Sequence, residues 1–121
     1  MPIYKRGDIV VIAYPNSDMQ TVKIRPALVV QADGLDTGLR QTLVALITSR
    51  TWRTGLSRVS IKADGPDGAA TGLLSDSVVV ADNLATVEHE KIYKRIGEYR
   101  FMHKVDVALK IALGLSSGNS D

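Results

Sequence analysis

The chain of 121 residues has no cysteine. That excludes a disulfide framework and any thiolate metal site, and it fits a reducing cytoplasm. Its two histidines, His89 and His103, stand fourteen positions apart in polar surroundings. Neither has a second ligand at metal spacing, so no metal and no other cofactor is expected. No apolar run approaches the ~20 residues of a membrane span, and the segment Met1 to Arg6 lacks the apolar core of a signal peptide. The expectation is a soluble cytoplasmic protein with no membrane partner. The glycines form no phosphate-binding loop; Gly65 and Gly68 read as turn residues. No nucleophile, acid and base stand at a spacing that is by itself a catalytic signature.

What is present is a domain-sized chain with uneven charge. The length fits one domain, residues 1–121, and such a chain can bury roughly two thirds of its unfolded surface without a covalent staple. The net charge is +2, but residues 1–62 carry +5 and residues 63–121 carry −3. The basic half can serve as an electrostatic footprint for RNA or DNA, or it can be ordinary surface charge.

The apolar pattern predicts five to seven short strands and one helix. Asp8–Tyr14 is a β-branched run entered through Gly7, and Pro15–Asp18 ends it with turn chemistry. Strands follow at Arg25–Gln31, Thr42–Ile47, Ser57–Lys62, Ser77–Ala81 and Tyr93–Tyr99. Glu88–Glu90 is placed as the start of a helical turn. The period then changes: Phe101, Val105, Ala108, Leu109, Ala112 and Leu113 share one helical face, and Gly114 suits the residue that ends the helix. Residues 116–121 form a polar tail expected to fray. This pattern implies a mainly β (α+β) fold, a small, partly open β-barrel with a C-terminal helix.

Candidate chemistry lies at strand ends, where rigid backbone presents polar side chains to a ligand. In Lys23-Ile24-Arg25-Pro26-Ala27, Pro26 has no N–H and biases Arg25 to an extended conformation. Arg25 is therefore placed at the mouth of strand two. Its planar fork suits a phosphate, although a plain surface arginine fits the same residues. Thr48 and Ser49 leave strand three, and Asp82 and Asn83 follow Val78–Ala81. Each of these also fits a turn or a local hydrogen bond. Trp52 lies between Arg50 and Arg53, either to stack on a base or to fold back onto the core.

Taken in order, Lys5-Arg6-Gly7-Asp8-Ile9-Val10, Lys23 to Val30, Ala45-Leu46-Ile47-Thr48-Ser49, Ser77 to Val87 and Arg95-Ile96-Gly97 resemble the MazF/PemK toxins of bacterial type II toxin–antitoxin pairs. The resemblance spans about residues 3–115. It implies an SH3-like barrel and a homodimer. It also implies a metal-independent endoribonuclease, an mRNA interferase that cuts single-stranded RNA at short sequences and leaves 2′,3′-cyclic phosphate and 5′-hydroxyl ends. It carries catalytic roles to Arg25, Thr48 and Asp82. RNA contacts are expected at Lys23, Ser49, Arg50, Trp52, Arg53 and Asn83. The implied partners are single-stranded RNA and a cognate antitoxin whose tail folds into the RNA groove. The chain departs from the pattern at Val80, Ala81 and Ala85, where many relatives place an arginine near the aspartate. It also has no cation in Ser17–Val22, and no histidine aligned as a general base. Two alternatives stay open: a CcdB-like toxin that binds gyrase, and a catalytically weakened relative that keeps only the antitoxin groove.

Overall fold

The structure, a computed structural model, describes residues 3–15 and 18–115. The predicted turn over Pro15–Asp18 falls partly, and the predicted tail 116–121 wholly, outside the described residues. The elements in chain order are β1 (Asp8–Pro15), β2 (Val22–Val29), β3 (Gln41–Thr48), β4 (Arg58–Ile61), β5 (Ser77–Glu88), a 3-10 turn (His89–Lys91), β6 (Ile92–Glu98) and α1 (Met102–Leu113). The strands make one six-stranded sheet in the order β4-β5-β3-β2-β1-β6. All neighbours are antiparallel. Among the described residues the two edge strands, β4 and β6, form no ladder with each other, so the sheet is a partly open barrel, as expected.

Two apolar clusters pack on the two faces of this sheet. Ile9, Leu28, Ala45, Ile47, Val59, Ile61, Val79 and Ala81 join Val105 and Ala108 of α1 on one face. Val10, Ile12, Ala27, Val29, Val44, Leu46, Val87 and Ile92 gather on the other. Adjacent strand residues point to opposite faces, so a strand buried on both reads as a continuous apolar run. That is why Ala27–Val30 and Val44–Ile47 show no alternation. The helix buries Val105 and Ala108, while Leu113, assigned to the same face by spacing, is exposed in the last turn. Past the helix Gly114 is left-handed (φ 68°). The Leu115 N–H then donates to Lys110 C=O at 2.8 Å and the Gly114 N–H to Ile111 C=O at 3.3 Å, which satisfies the final carbonyls.

Two strand boundaries differ from expectation by more than two residues. β2 begins at Val22, not Arg25; Val22, Lys23 and Ile24 are exposed and so read as loop. Arg25 consequently sits inside the strand rather than at its mouth. β5 does not stop at Ala81 but runs to Glu88, because Asp82 and Asn83 lie in a bulge of one long strand rather than at a strand end.

The gap between the edge strands is spanned by the connection after β4. The Glu98 N–H donates to Ala70 C=O at 2.8 Å, and Thr71 is fully buried. Gly97 has no side chain because none fits: a Cβ there would overlap the backbone of Ala70 and Thr71. Gly97→Ala should therefore destabilise the fold by about 1–3 kcal/mol, as overpacking against backbone does. The check is a lower denaturant midpoint with an unchanged slope. A midpoint equal to wild type would show that this seam yields without cost.

Candidate nucleic-acid interface

The site begins where two strands part. The β2–β3 ladder runs only over Ala27↔Leu46, Leu28↔Ala45 and Val29↔Val44. Before Ala27, β2 pairs with β1 alone, from Pro26↔Val11 to Val22↔Pro15. Beyond Leu46, β3 pairs with β5 alone, through Ile47↔Val79 and Thr48↔Val78. Pro26, which has no N–H to give, is the residue at which the shared ladder ends. The divergence opens a cleft of about 590 Å3.

Residue parity then decides what fills it. Arg25 and Lys23 lie two and four places before Ala27 and share its face, and Thr48 lies two places after Leu46. On β4, Val59 and Ile61 enter the helix-side core, which leaves Arg58 on the cleft face. The bulge in β5 brings the acid: Ala45 pairs with Leu84 and Leu46 with Val80, so residues 81–83 have no partner on β3. The cleft is lined by Lys23, Arg25, Arg50, Arg53 and Arg58, with Thr48, Asp82 and Asn83 and a floor of Leu46 and Ile47. Five cations thus face a single carboxylate. Such a surface favours a polyanion.

The three proposed catalytic residues all reach this cleft, but their bonding differs. Arg25 is half-buried and has no hydrogen-bond or ion-pair partner among the described residues. The Thr48 hydroxyl oxygen accepts the Arg50 N–H at 3.1 Å. Its own proton stays available to donate. Asp82, given a catalytic role by the resemblance, makes no bond to Arg25. Its carboxylate is instead taken by Arg58, through Nε to Oδ1 at 3.2 Å and Nη2 to Oδ2 at 3.1 Å, and by Ser57 Oγ to Oδ1 at 3.0 Å. Lys23, Arg50, Arg53 and Asn83 line the cleft as well. Ser49 and Trp52 are exposed, Trp52 by 74%, and stand outside the lining. Arg58 was missed: in sequence it is one polar position of an alternating strand, and nothing local says which strand lies beside it.

The histidines are elsewhere. His89 borders a second cavity of about 240 Å3 and bonds Thr42 Oγ1 through Nε2 at 2.7 Å. That cavity sets Arg40 against Asp33 and Asp36 and so lacks the excess of cations. His103 is on the exposed side of α1.

The Arg58 hydrogen bond is the main reason the Asp82 carboxyl sits below the usual carboxylate range; partial burial opposes it, and Ser57 adds to the lowering. A carboxylate lowered on folding contributes stability above its unfolded pKa of about 3.9 and loses it as pH falls through the folded value. The pair should therefore be intact throughout neutral pH. In a carboxyl-detected NMR titration Asp82 should titrate below ordinary aspartates, and Arg58→Met should move it upward. An Asp82 titration that Arg58→Met leaves unmoved would mean the pair does not form in solution.

Comparison with known proteins agrees with the fold and with the family resemblance. The model of the PemK-like, MazF-like toxin of type II toxin-antitoxin systems matches residues 5–113. A protein named "Probable endoribonuclease MazF" from Mycolicibacterium smegmatis is 32% identical over 114 residues, covering 93% of this chain and 98% of the relative. Among solved structures, an endoribonuclease from a mycobacterial species matches with a TM-score of 0.70 at 25% identity, over 95% of each chain. An endoribonuclease in complex with its cognate antitoxin, also mycobacterial, matches with a TM-score of 0.69 at 23% identity, over 93% of this chain and 97% of that one, and supports the fold. With 109 consecutive residues under the family model, this chain belongs to the PemK-like, MazF-like toxins of type II toxin–antitoxin systems.

Proposed function

We propose that this toxin is an endoribonuclease that cleaves single-stranded RNA in the cleft between β2 and β3. The observation that carries the reading is the lining: five cations, one carboxylate, and that carboxylate already engaged. The name of the 32% identical relative supports the same activity. The reaction is attack of the ribose 2′-oxygen on the adjacent phosphorus. A P–O2′ bond forms, the P–O5′ bond breaks, the 2′ proton leaves to an acceptor and the 5′-oxygen takes one up. The products are a 2′,3′-cyclic phosphate and a 5′-hydroxyl, and the cut depends on a short sequence.

Each residue has a part in that chemistry. Arg25, without a partner among the described residues, binds the non-bridging oxygens as negative charge grows on them. Thr48 donates its hydroxyl proton to the same phosphate, and Ser49 follows it at the strand exit. Lys23, Arg50, Arg53 and Asn83 hold flanking nucleotides. Trp52, exposed beside Arg50 and Arg53, offers a face on which a base stacks. A cytoplasmic homodimer, held inactive by an antitoxin whose acidic tail fills the cleft, completes the reading. The cleft's charge suits such a tail, and one structural relative is a complex with its cognate antitoxin.

Arg25→Ala should abolish cleavage while the melting midpoint stays near wild type, because the side chain has no bond to lose among the described residues. The assay is purified protein in EDTA with end-group analysis of the products. Retained cleavage by the variant would remove Arg25 from the mechanism. No cleavage by folded wild type across diverse RNAs would favour a gyrase-binding or antitoxin-only toxin. Trp52 is the chain's one tryptophan, so RNA binding should quench intrinsic fluorescence. Trp52→Ala should weaken binding by about 1–3 kcal/mol, the range for loss of one stacked base. Unchanged affinity would show that the aromatic has another purpose.

A further inference from the structure

Resting on the ribonuclease reading above, we propose that Arg58 is a second phosphate-binding arginine of the cleft, and that Asp82 acts through it as a positioning residue. Arg58 pairs with Val80 across the β4–β5 ladder, and both line the cleft. Its side edge, Nε and Nη2, is bound by Asp82. A guanidinium has five N–H groups, and this grip uses two. The end edge, formed by Nη1 and the second Nη2 proton, has no bond among the described residues. That edge is itself a two-pronged donor matched to two phosphate oxygens.

The pair is poorly explained as a structural clamp. The side chains are 29% and 41% exposed. Ion pairs that wet contribute little to stability. Yet three donors converge on this one carboxylate, Ser57 Oγ among them. What the convergence achieves is a fixed orientation of the Arg58 fork. Asp82 is in turn placed by the bulge in β5, since an unbroken ladder would have paired residues 81–83 with β3. The cleft thus holds two kinds of cation. Arg25 has no partner among the described residues, whereas Arg58 is already oriented when the phosphate arrives.

The test uses an RNA that the wild type cuts and its uncleavable 2′-O-methyl analogue, with Arg58→Met, Arg58→Lys and Asp82→Asn. Arg58→Met should lower kcat/KM by about 100-fold, the scale for losing one preorganised charge donor. It should also reduce the slope of log affinity against log salt by about 0.7, the share of one phosphate contact on a single strand. Arg58→Lys should keep the slope and lose at least ten-fold in cleavage, because a point charge replaces the fork. Asp82→Asn should lower kcat without lowering the slope, because the cation stays while its orientation is lost. A folded Arg58→Met with wild-type cleavage and slope overturns the assignment. So does a variant whose cleavage falls only in step with its melting midpoint while the slope holds. If Arg58→Met does not fold, wild-type rates in Arg58→Lys overturn it equally. Wild-type protein that neither binds nor cuts RNA overturns the ribonuclease reading, and Arg58 with it; the other failures remove Arg58 alone.

Discussion

The cleft depends on one backbone constraint, the end of the β2–β3 ladder at Pro26. A proline cannot donate a ladder hydrogen bond, and it holds the preceding residue extended. β2 therefore continues straight past Pro26 on its pairing with β1, while β3 follows β5. The strands separate, yet both remain paired on their other sides, so the walls of the opening are as rigid as the sheet. The β5 bulge falls at the same level, between Ala45 and Leu46, one pair from where the β2–β3 ladder stops. Two irregularities in adjacent ladders thus meet at Leu46. Between them they turn a stretch of buried sheet into a polar cleft.

The two arginine-bearing segments near the N-terminus have different physical uses. Arg6 donates to Asp106 at 2.7 Å and to Val30 C=O at 2.9 Å, tying the entry of β1 to α1. Asp8 is buried and accepts the Lys5 N–H at 2.8 Å and Arg95 Nε at 2.9 Å, which fastens β1 to β6. Lys5 to Val10 is therefore an architectural motif. Arg25 engages in no such tie among the described residues. A cation tied between two elements serves the fold, whereas a cation held open at a rigid wall is free to meet a ligand.

The sequence showed the strands that are buried on both faces and the helix that closes the chain, because burial leaves apolar runs and a clear period. It also named Arg25, Thr48, Asp82, Lys23, Arg50, Arg53 and Asn83, all of which line the cleft. It misplaced what depends on neighbours. Val22–Ile24 looked like loop because hydrogen bonding to β1, and not burial, makes them strand. Asp82-Asn83 looked like a strand end because a bulge and a turn use the same residues. Arg58 was passed over for the same reason. Its importance comes from Val80 and Asp82, twenty-two and twenty-four positions away, and only the β4–β5 register brings them together. The segment around Asp82 looked poor in cations at Val80, Ala81 and Ala85; in space the cation arrives from the next strand.

These contacts also bear on how the cleft could do chemistry. Neither histidine lines it, and its arginines and lysine are donors only. Asp82 is the one carboxylate among the described residues of its lining, and the two residues that hold it, Arg58 and Ser57, also lower its basicity. A weakly basic carboxylate with both oxygens occupied is a poor proton acceptor near neutrality. On the proposed reading, catalysis then rests on charge. In the five-coordinate transition state the new negative charge gathers on the non-bridging oxygens, which forks and hydroxyl donors fixed to sheet walls meet without reorganising. Proton removal from the 2′-oxygen becomes easier as that charge is stabilised, because the oxygen loses its proton more readily once its bond to phosphorus has begun to form. A cleft rich in oriented donors and poor in bases is therefore suited to a phosphate already carrying its own nucleophile, which is what an RNA strand presents and a DNA strand does not.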